Sequence, residues 1–245
     1  GSVSYAANAV GVYLEYGPDN VKVEDNRINN IKSVPTAQGI LIGDSTSADP
    51  SLGARIDGNV ITNVVSTRGA YGVQVNNGAK SPLVLPSATG YTTVKIRDNT
   101  INTLSGLWTH AIGLEGDTPN ARVTGNKISG LTAATPNVAA VYIEDNAYFF
   151  TADISRNSFN VGANAGIYVV PSLVALFPSL SVDGTCNWWG NASGPSGAAS
   201  GTGAYVSTGV DYGPWLKSAN LKGKCSDKHQ DDNDNHDHHH EHDDD

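Results

Sequence analysis

The residues with the most obvious capacity for chemistry lie at the end of the chain, in the stretch HQDDNDNHDHHHEHDDD (229–245). Six of the seven histidines fall in this stretch, interleaved with acids. Neutral imidazole binds Zn²⁺, Cu²⁺ and Ni²⁺ well, and carboxylates add charge attraction or bind Ca²⁺. We therefore predict that divalent metal ions bind this segment through His229, His236, Asp237, His238, His239, His240, Glu241 and His242.

The same segment carries most of the net charge. Nine acids and one lysine follow Ser226, which is −8 of the total of −9. Because this segment is too polar to bury enough apolar surface to fold, residues 227–245 are predicted to be a disordered tail. Its metal ions should be loosely held and released below about pH 6, where histidine protonates. The alternative interpretation is an acidic end that only improves solubility.

The chain before the tail is nearly neutral, with fifteen acids and fourteen bases. Binding to nucleic acid needs a basic face, so nucleic acid is not an expected partner. No apolar run approaches the roughly 18 residues of a membrane-spanning helix, so no membrane span is expected.

An internal repeat predicts how the chain before the tail is built. Each copy has two alternating apolar positions, a turn residue, an asparagine and an apolar residue two places later. The copies are VKVEDNRINNI (21–31), ARIDGNVITNV (54–64), VKIRDNTINTL (94–104), ARVTGNKISGL (121–131) and ADISRNSFNV (152–161). A degenerate sixth copy, LSVDGT (180–185), puts Thr185 at the asparagine position. We expect Asn26, Asn59, Asn99, Asn126 and Asn157 to form an inward ladder of hydrogen bonds.

A second short strand precedes each copy and alternates in the same way. These strands read GVYLEY (11–16), GILIGD (39–44), GVQVNN (72–77), AIGLEG (111–116), AVYIED (140–145) and GIYVVP (166–171). Two strands and a bend per rung, where a rung is one turn of the coil, predict an all-β solenoid of about six rungs over residues 1–185. A β-sandwich is the alternative, although it would not repeat the same asparagine-centred phrase.

The repeat resembles the right-handed parallel β-helix of the pectin-lyase-like superfamily, over about residues 9–185. The following segments CNWWGNASGP (186–195) and GVDYGPWL (209–216) resemble the C-terminal closing element of secreted bacterial and archaeal β-helix proteins. The resemblance implies a secreted or cell-surface protein that ends in a cap, residues 186–226. Trp188, Trp189 and Trp215 are suited to cover the apolar end of the coil.

The only two cysteines, Cys186 and Cys225, both lie in this C-terminal segment. A disulfide is predicted, with two free thiols as the alternative. Closing a loop of about 40 residues would stabilise the fold by about 3–4 kcal/mol and would imply an oxidising, extracellular location. Asn191 begins a sequence, Asn-Ala-Ser, that is a candidate for N-glycosylation.

The outward side of the first strands offers candidate catalytic residues. One outward column reads Glu15, Gly43, Asn76, Glu115, Glu144 and Val170, with Asp145 beside it. Glu115 and Glu144 are expected on adjacent rungs, about 4.8 Å apart. A second outward column contains Tyr13, Tyr142 and Tyr168. These acids and tyrosines could bind or cleave a polysaccharide; the alternative is that exposed glutamates only keep the body soluble.

The comparison with enzymes of the superfamily weighs against catalysis. Polygalacturonase-like members carry paired aspartates and Gly-His-Gly and Arg-Ile-Lys phrases, which this chain lacks. Lyase-like members need an arginine or lysine base, and Lys95 and Arg97 are predicted to point to solvent from a different strand. His110 has no obvious carboxylate partner in the sequence and is predicted to be structural.

The N-terminal end of the chain bears on how the protein associates. The chain enters its first strand within about ten residues, and an uncovered first rung invites association. We expect either a missing N-terminal region or end-to-end stacking into a filament through residues 2–10. The sequence thus favours a secreted, non-catalytic structural or surface protein, with a polysaccharide lyase, hydrolase or carbohydrate-binding module as the alternative.

Overall fold

The computed structural model describes residues 7–15, 19–43, 53–77, 94–116, 118, 120–144, 151–177 and 180–225. These residues form an all-β parallel solenoid of three sheets. Within each described strand pair the partners are parallel, and the strand of one rung stacks on the strand of the next. The prediction of an all-β parallel solenoid is therefore confirmed.

The elements are numbered in chain order. The first sheet contains β1 (Ala9–Leu14), β4 (Thr36–Ile42), β7 (Gly69–Asn77), β10 (Trp108–Gly116), β13 (Val138–Ile143), β16 (Ala165–Val169), β19 (Tyr205–Val206) and β18 (Ser196–Gly197). The second contains β2 (Lys22–Glu24), β5 (Ala54–Asp57), β8 (Val94–Arg97), β11 (Ala121–Thr124), β14 (Thr151–Asp153), β17 (Ser181–Asp183) and β20 (Val210–Asp211). The third contains β3 (Arg27–Ser33), β6 (Val60–Ser66), β9 (Thr100–Gly106), β12 (Lys127–Ala133) and β15 (Ser158–Asn160). One helix, α1 (Pro171–Leu176), was not predicted.

The prediction of two strands per rung is wrong, because each asparagine phrase contains a bend and forms two strands in different sheets. The residue before each asparagine is in the left-handed region, with φ between 54° and 73°; these residues are Asp25, Gly58, Asp98, Gly125, Arg156 and Cys186. A left-handed residue turns the chain sharply, which separates the strand of the second sheet from the strand of the third. A rung therefore has three strands.

The asparagines that follow these bends form the expected ladder. From Asn59 onward, the Oδ1 atom of each asparagine accepts hydrogen bonds from the backbone nitrogen and Nδ2 of the asparagine one rung earlier; Asn59 donates in this way to Asn99 at 2.9 and 3.0 Å. The Nδ2 atom also donates to a carbonyl of the preceding rung, as from Asn99 to Ile56 at 2.8 Å. The ladder satisfies polar backbone groups that would otherwise be unpaired in the apolar interior.

The ladder continues to Asn187, so the assignment of Thr185 to the sixth position is wrong. The backbone nitrogen and Nδ2 of Asn157 donate to Oδ1 of Asn187 at 2.7 and 3.1 Å. The dipeptide Cys186–Asn187 repeats the bend-plus-asparagine pattern, since Cys186 has φ of 56°. The sixth copy is therefore displaced by two residues toward the C-terminus.

The C-terminal segment closes this end of the described coil. Cys186 and Cys225 form a disulfide, with Cα atoms 5.5 Å apart, as predicted. Trp189 is fully buried against Phe159, Leu216 is buried, and Trp215 packs partly against the core. Trp188 is half-buried, and its backbone bridges to Ser158 of the third sheet. In the described part of the chain, no helix is long and apolar enough to cross a membrane.

Candidate functional site

A chain of buried amides and a carboxyl group crosses the outward side of the first sheet. Nε2 of Gln38 donates to Oε1 of Gln74, and Nε2 of Gln74 donates to Oε1 of Glu115, each over 2.6 Å. The three side chains come from β4, β7 and β10, which are adjacent strands. Because all three are buried, this is an organised polar structure rather than a set of solvated side chains.

Glu115 is only 8% exposed, so the interpretation of Glu115 as an exposed, solubilising glutamate is wrong. Burial raises its pKa to about 7, and the hydrogen bond from Gln74 offsets part of that effect. The physical cause is that a charged carboxylate loses its hydration on burial. Near pH 7, Glu115 is therefore poised between a neutral acid and a carboxylate.

We expect Glu115→Gln to stabilise the fold at high pH. Because the pKa of Glu115 is raised in the folded protein, its stabilising contribution is fully present when the pH is below the unfolded-state pKa of about 4.5. That contribution is lost as the pH rises through the folded-state pKa of about 7. Glutamine stays neutral and can still accept the hydrogen bond from Gln74. The variant should gain about 3 kcal/mol at about pH 8 and less than about 1 kcal/mol at about pH 5.

Urea unfolding at the two pH values measures this difference. Glu15→Gln is the matched control, because Glu15 lies in the same outward column but is exposed, and its unfolding free energy should change by less than about 0.5 kcal/mol. A Glu115→Gln variant that is no more stable than the wild type at about pH 8 would contradict the raised pKa.

Five rings from five strands form a continuous aromatic file beside these amides. They are Tyr71, His110, Tyr142, Tyr168 and Tyr205. Neighbouring ring centroids are 5.3, 3.9, 5.3 and 6.4 Å apart. His110 and Tyr142 are stacked within 7° of parallel, whereas Tyr168 and Tyr205 are inclined by 32°. The rings are therefore tightly stacked in the middle of the file and more widely spaced at its open end, Tyr205, which is 37% exposed.

His110 forms the centre of the aromatic file. It is 1% exposed; Nε2 lies 2.9 Å from Oδ1 of Asn137, and Nδ1 lies 3.8 Å from Oε1 of Glu144. Burial lowers its pKa to about 4, against the opposing effect of the Asn137 contact, so the imidazole is neutral near pH 7. The sequence shows no carboxylate partner for His110, and the coil brings Glu144 near it from the next rung, at a separation longer than a hydrogen bond.

Tyr71 links the aromatic file to the acids. Its hydroxyl oxygen accepts a hydrogen bond from Nε1 of Trp108 at 3.2 Å. Burial raises the pKa of Tyr71, and the nearby carboxylates of Glu115 and Glu144 add to the increase. Tyr71, His110, Glu115 and Glu144 therefore form one cluster on the outward side of the first sheet.

Two grooves flank this cluster on the same outward face. The larger, of about 560 Å³, is lined by Pro136, Asn137, Val138, Tyr142, Ala163, Asn164, Ala165, Tyr168 and Tyr205. The smaller, of about 300 Å³, is lined by Asn8, Tyr13, Thr36, Gln38, Leu41, Gly43, Tyr71, Gln74 and Asn76. Among the described residues, neither lining contains a lysine, an arginine or an acid. These residues offer ring faces, hydroxyl groups and amides.

Three buried polar atoms on this face have no hydrogen-bond partner within the described residues. They are Oε1 of Gln38, Oδ1 of Asn76 and Nδ1 of His110. Gln38 and Asn76 line the smaller groove, and His110 contacts Asn137 of the larger groove. Buried polar atoms are normally satisfied, so each of these atoms has the capacity for one further hydrogen bond.

The remaining predicted site residues lie elsewhere. Glu15 is exposed and is three register steps, about 14 Å, from Glu115, so it does not join the cluster. Asn191 is exposed in a turn, where its Oδ1 accepts a hydrogen bond from the backbone of Ser193. Asp145 and the predicted metal ligands of the tail lie outside the described residues. Among the residues that are described, no cluster of three His, Cys, Asp or Glu could hold a metal ion.

Sequence reasoning found part of this site. It placed Tyr13, Tyr142 and Tyr168 in one outward column, and the register confirms the pairing of Tyr142 with Tyr168. It missed Tyr205, which pairs with Ala165 through the irregular strand β19 after a long excursion of the chain. It also missed Tyr71, because the sequence does not show that this residue lies opposite His110.

The fold and the site define an all-β parallel solenoid with a disulfide-linked C-terminal segment and a polar, aromatic outward face. Comparison with protein-family models, curated proteins and solved structures found no match to the chain. The function is therefore inferred from the geometry of this face.

Proposed function

We propose that the protein is an extracellular, non-catalytic solenoid that binds neutral glycan chains along the outward face of its first sheet. The aromatic file and the groove at its open end carry this proposal. Tyr142, Tyr168 and Tyr205 line a groove whose described residues carry no charge, and tyrosine combines an apolar ring with a hydroxyl group. Sugars present the same combination, since an apolar ring face is surrounded by hydroxyl groups.

The open end of the aromatic file is the part that can receive a sugar ring. His110 and Tyr142 cover each other at a spacing of 3.9 Å, so those ring faces are occupied. Tyr168 and Tyr205 are inclined by 32° to each other, and Tyr205 is 37% exposed. Stacking is therefore proposed at Tyr168 and Tyr205, and hydrogen bonding to sugar hydroxyls is proposed at Asn137 and Asn164.

We also propose that the protein is extracellular and that its coil is right-handed. The disulfide is stable in an oxidising compartment, which favours secretion or the cell surface. A parallel coil with crossover connections is expected to be right-handed, and the asparagine ladder is consistent with about six rungs of the pectin-lyase-like type. Metal binding by the tail and end-to-end filament formation remain predictions from the sequence.

Affinity electrophoresis through gels that contain soluble neutral polysaccharides, with acidic polysaccharides in parallel, tests glycan binding. Wild-type protein should be retarded by at least one neutral polymer, and Tyr168→Ala should weaken that binding by up to about tenfold, since ring stacking contributes about 0.5–1.5 kcal/mol. Tyr168→Phe should retain most of the affinity because it keeps the ring. Leu176→Ala removes an exposed apolar side chain outside the groove lining and should bind like wild type.

A polysaccharide-cleaving enzyme is the second candidate, favoured by the raised pKa of Glu115 beside Glu144. A carboxyl group with a pKa near 7 could act as a general acid. The same polymers, incubated with the protein and assayed for reducing or unsaturated ends, separate the two functions. The binding function predicts no release of sugars, whereas release by wild type that Glu115→Gln abolishes would establish the enzyme.

A further inference from the structure

The outward side of the second sheet carries a column of charges that changes sign once along the coil. In register from one rung to the next, its residues are Lys22, Arg55, Lys95, Arg122, Asp153, Asp183 and Asp211. We call this set the charged column. Four bases are followed by three acids, with adjacent positions about 4.8 Å apart. The whole column spans six steps, or about 29 Å.

The charged column is accessible over its length. Lys22, Arg122, Asp183 and Asp211 are exposed, and the other three members are half-buried. Asp57 forms ion pairs with both Arg55 and Arg97. Burial by itself would raise the pKa of Asp57, but the two guanidinium groups hold that pKa below its usual value. No ion pair involves Lys22, Lys95, Arg122 or Asp211 within the described part of the chain.

This arrangement is unfavourable within one molecule. Directly opposed like charges on neighbouring strands destabilise a sheet. Five of the six neighbouring pairs in the charged column have the same sign: three are pairs of bases and two are pairs of acids. Only Arg122–Asp153 joins opposite charges. A partner surface with the reverse order of charges would offset the repulsion.

We propose that the charged column is the interface of an antiparallel dimer of two copies of this chain. A two-fold axis along the strand direction, at the level of Arg122, places each column against its own reversed image. Lys22 then faces Asp211 of the second copy, Arg55 faces Asp183, and Lys95 faces Asp153. Each pair occurs twice, which gives six attractive pairs and one like-charge contact, between the two Arg122 residues.

The charge pattern favours a second copy over other occupants. A linear polyanion would be attracted by four positions and repelled by the three aspartates. Two residues further along the strands lie Glu24, Asp57 and Arg97, and the strands of the second copy that would face them, β20, β17 and β14, end before this position. These charges therefore do not face a column of like charge. The dimer uses a different sheet from the proposed glycan face and leaves that face open.

Sedimentation velocity at about 0.02 M and about 0.5 M salt measures the dimer and its dependence on charge. Wild type should associate at low salt and dissociate at high salt. Lys22→Glu and Asp211→Lys should each weaken the dimer by about tenfold or more, because each turns two attractive pairs into repulsive ones. Both side chains are exposed, so neither change should affect folding, which circular dichroism verifies.

Exchanging the charges of Lys22 and Asp211 is the decisive control. The two sites are about 29 Å apart within one chain, so rescue of one by the other must occur between molecules. The double variant Lys22→Glu/Asp211→Lys should dimerise like wild type, and so should an equimolar mixture of the two single variants. Failure of both rescues, or a wild type that remains monomeric at low salt, would overturn the proposal.

The acidic tail is the competing source of negative charge, and a full-length variant separates it from the column. In this variant the acids after Ser226 become Asn or Gln, which keeps the chain length. The antiparallel dimer should persist. Loss of association in this variant alone would show that the tail, rather than the aspartates of the charged column, binds the basic residues, and would overturn the proposal.

Discussion

Replacing Asn99 by alanine is expected to lower the free energy of unfolding by about 4 kcal/mol or more. Oδ1 of Asn99 accepts two hydrogen bonds from Asn59, and Nδ2 donates to Asn126 and to the carbonyl of Ile56. All of these groups are buried, so the substitution leaves partners unsatisfied on both neighbouring rungs. Each unsatisfied buried group costs about 1–3 kcal/mol.

Chemical denaturation and thermal melting of Asn99→Ala measure this loss, which corresponds to a fall in Tm of roughly 10 °C. Asn29→Ala is the matched control: Asn29 is exposed and accepts a hydrogen bond from Thr62 at the surface of the third sheet. It should cost less than about 0.5 kcal/mol. Similar losses for the two variants would show that the interior asparagines do not stabilise the coil.

Removal of the disulfide is expected to cost about 4 kcal/mol. Cys186 and Cys225 are 39 residues apart, and the loss of loop-closure entropy for a loop of this length gives that magnitude. The closed loop includes Trp189 and Leu216, which are buried at the C-terminal end of the described coil. Opening it should therefore release the segment that covers the last rungs.

Urea unfolding of the Cys186→Ser/Cys225→Ser variant, with and without a thiol reductant, measures the effect. The variant should be insensitive to reductant, and reduced wild type should match it. Hydrogen exchange should be fastest in residues 186–225 of the variant, with protection of β7 and β10 unchanged. An unaltered unfolding free energy for reduced wild type would contradict a stabilising role for the disulfide.

The fold was predictable where the sequence repeats a physical requirement. The five asparagines identified the ladder because an interior polar residue must be satisfied in the same way on each rung. The third strand of each rung was missed because the bend lies inside the repeated phrase and depends on the backbone conformation of residues such as Arg156 and Asp98. Asn187 was missed because its phrase begins with Cys186, which was interpreted only as a disulfide partner.

The candidate site was less predictable because it depends on register between distant segments. Alternation identified Glu115 and Glu144 as outward residues but not the burial of Glu115, which follows from its neighbours Gln74 and Tyr71. The stacking of His110 on Tyr142 requires the strands of two rungs to be aligned. Tyr205 reaches the aromatic file only because the C-terminal segment returns to pair with β16.

Binding of wild type and Tyr168→Ala to an array of neutral, acidic and amino-sugar oligosaccharides tests the central claim most directly. A neutral glycan bound by wild type and lost in Tyr168→Ala, with the variant folded as judged by its unfolding free energy, is the predicted result. Binding to no neutral glycan, or binding that Tyr168→Ala leaves unchanged, would contradict the proposal that the open end of the aromatic file is a glycan-binding site.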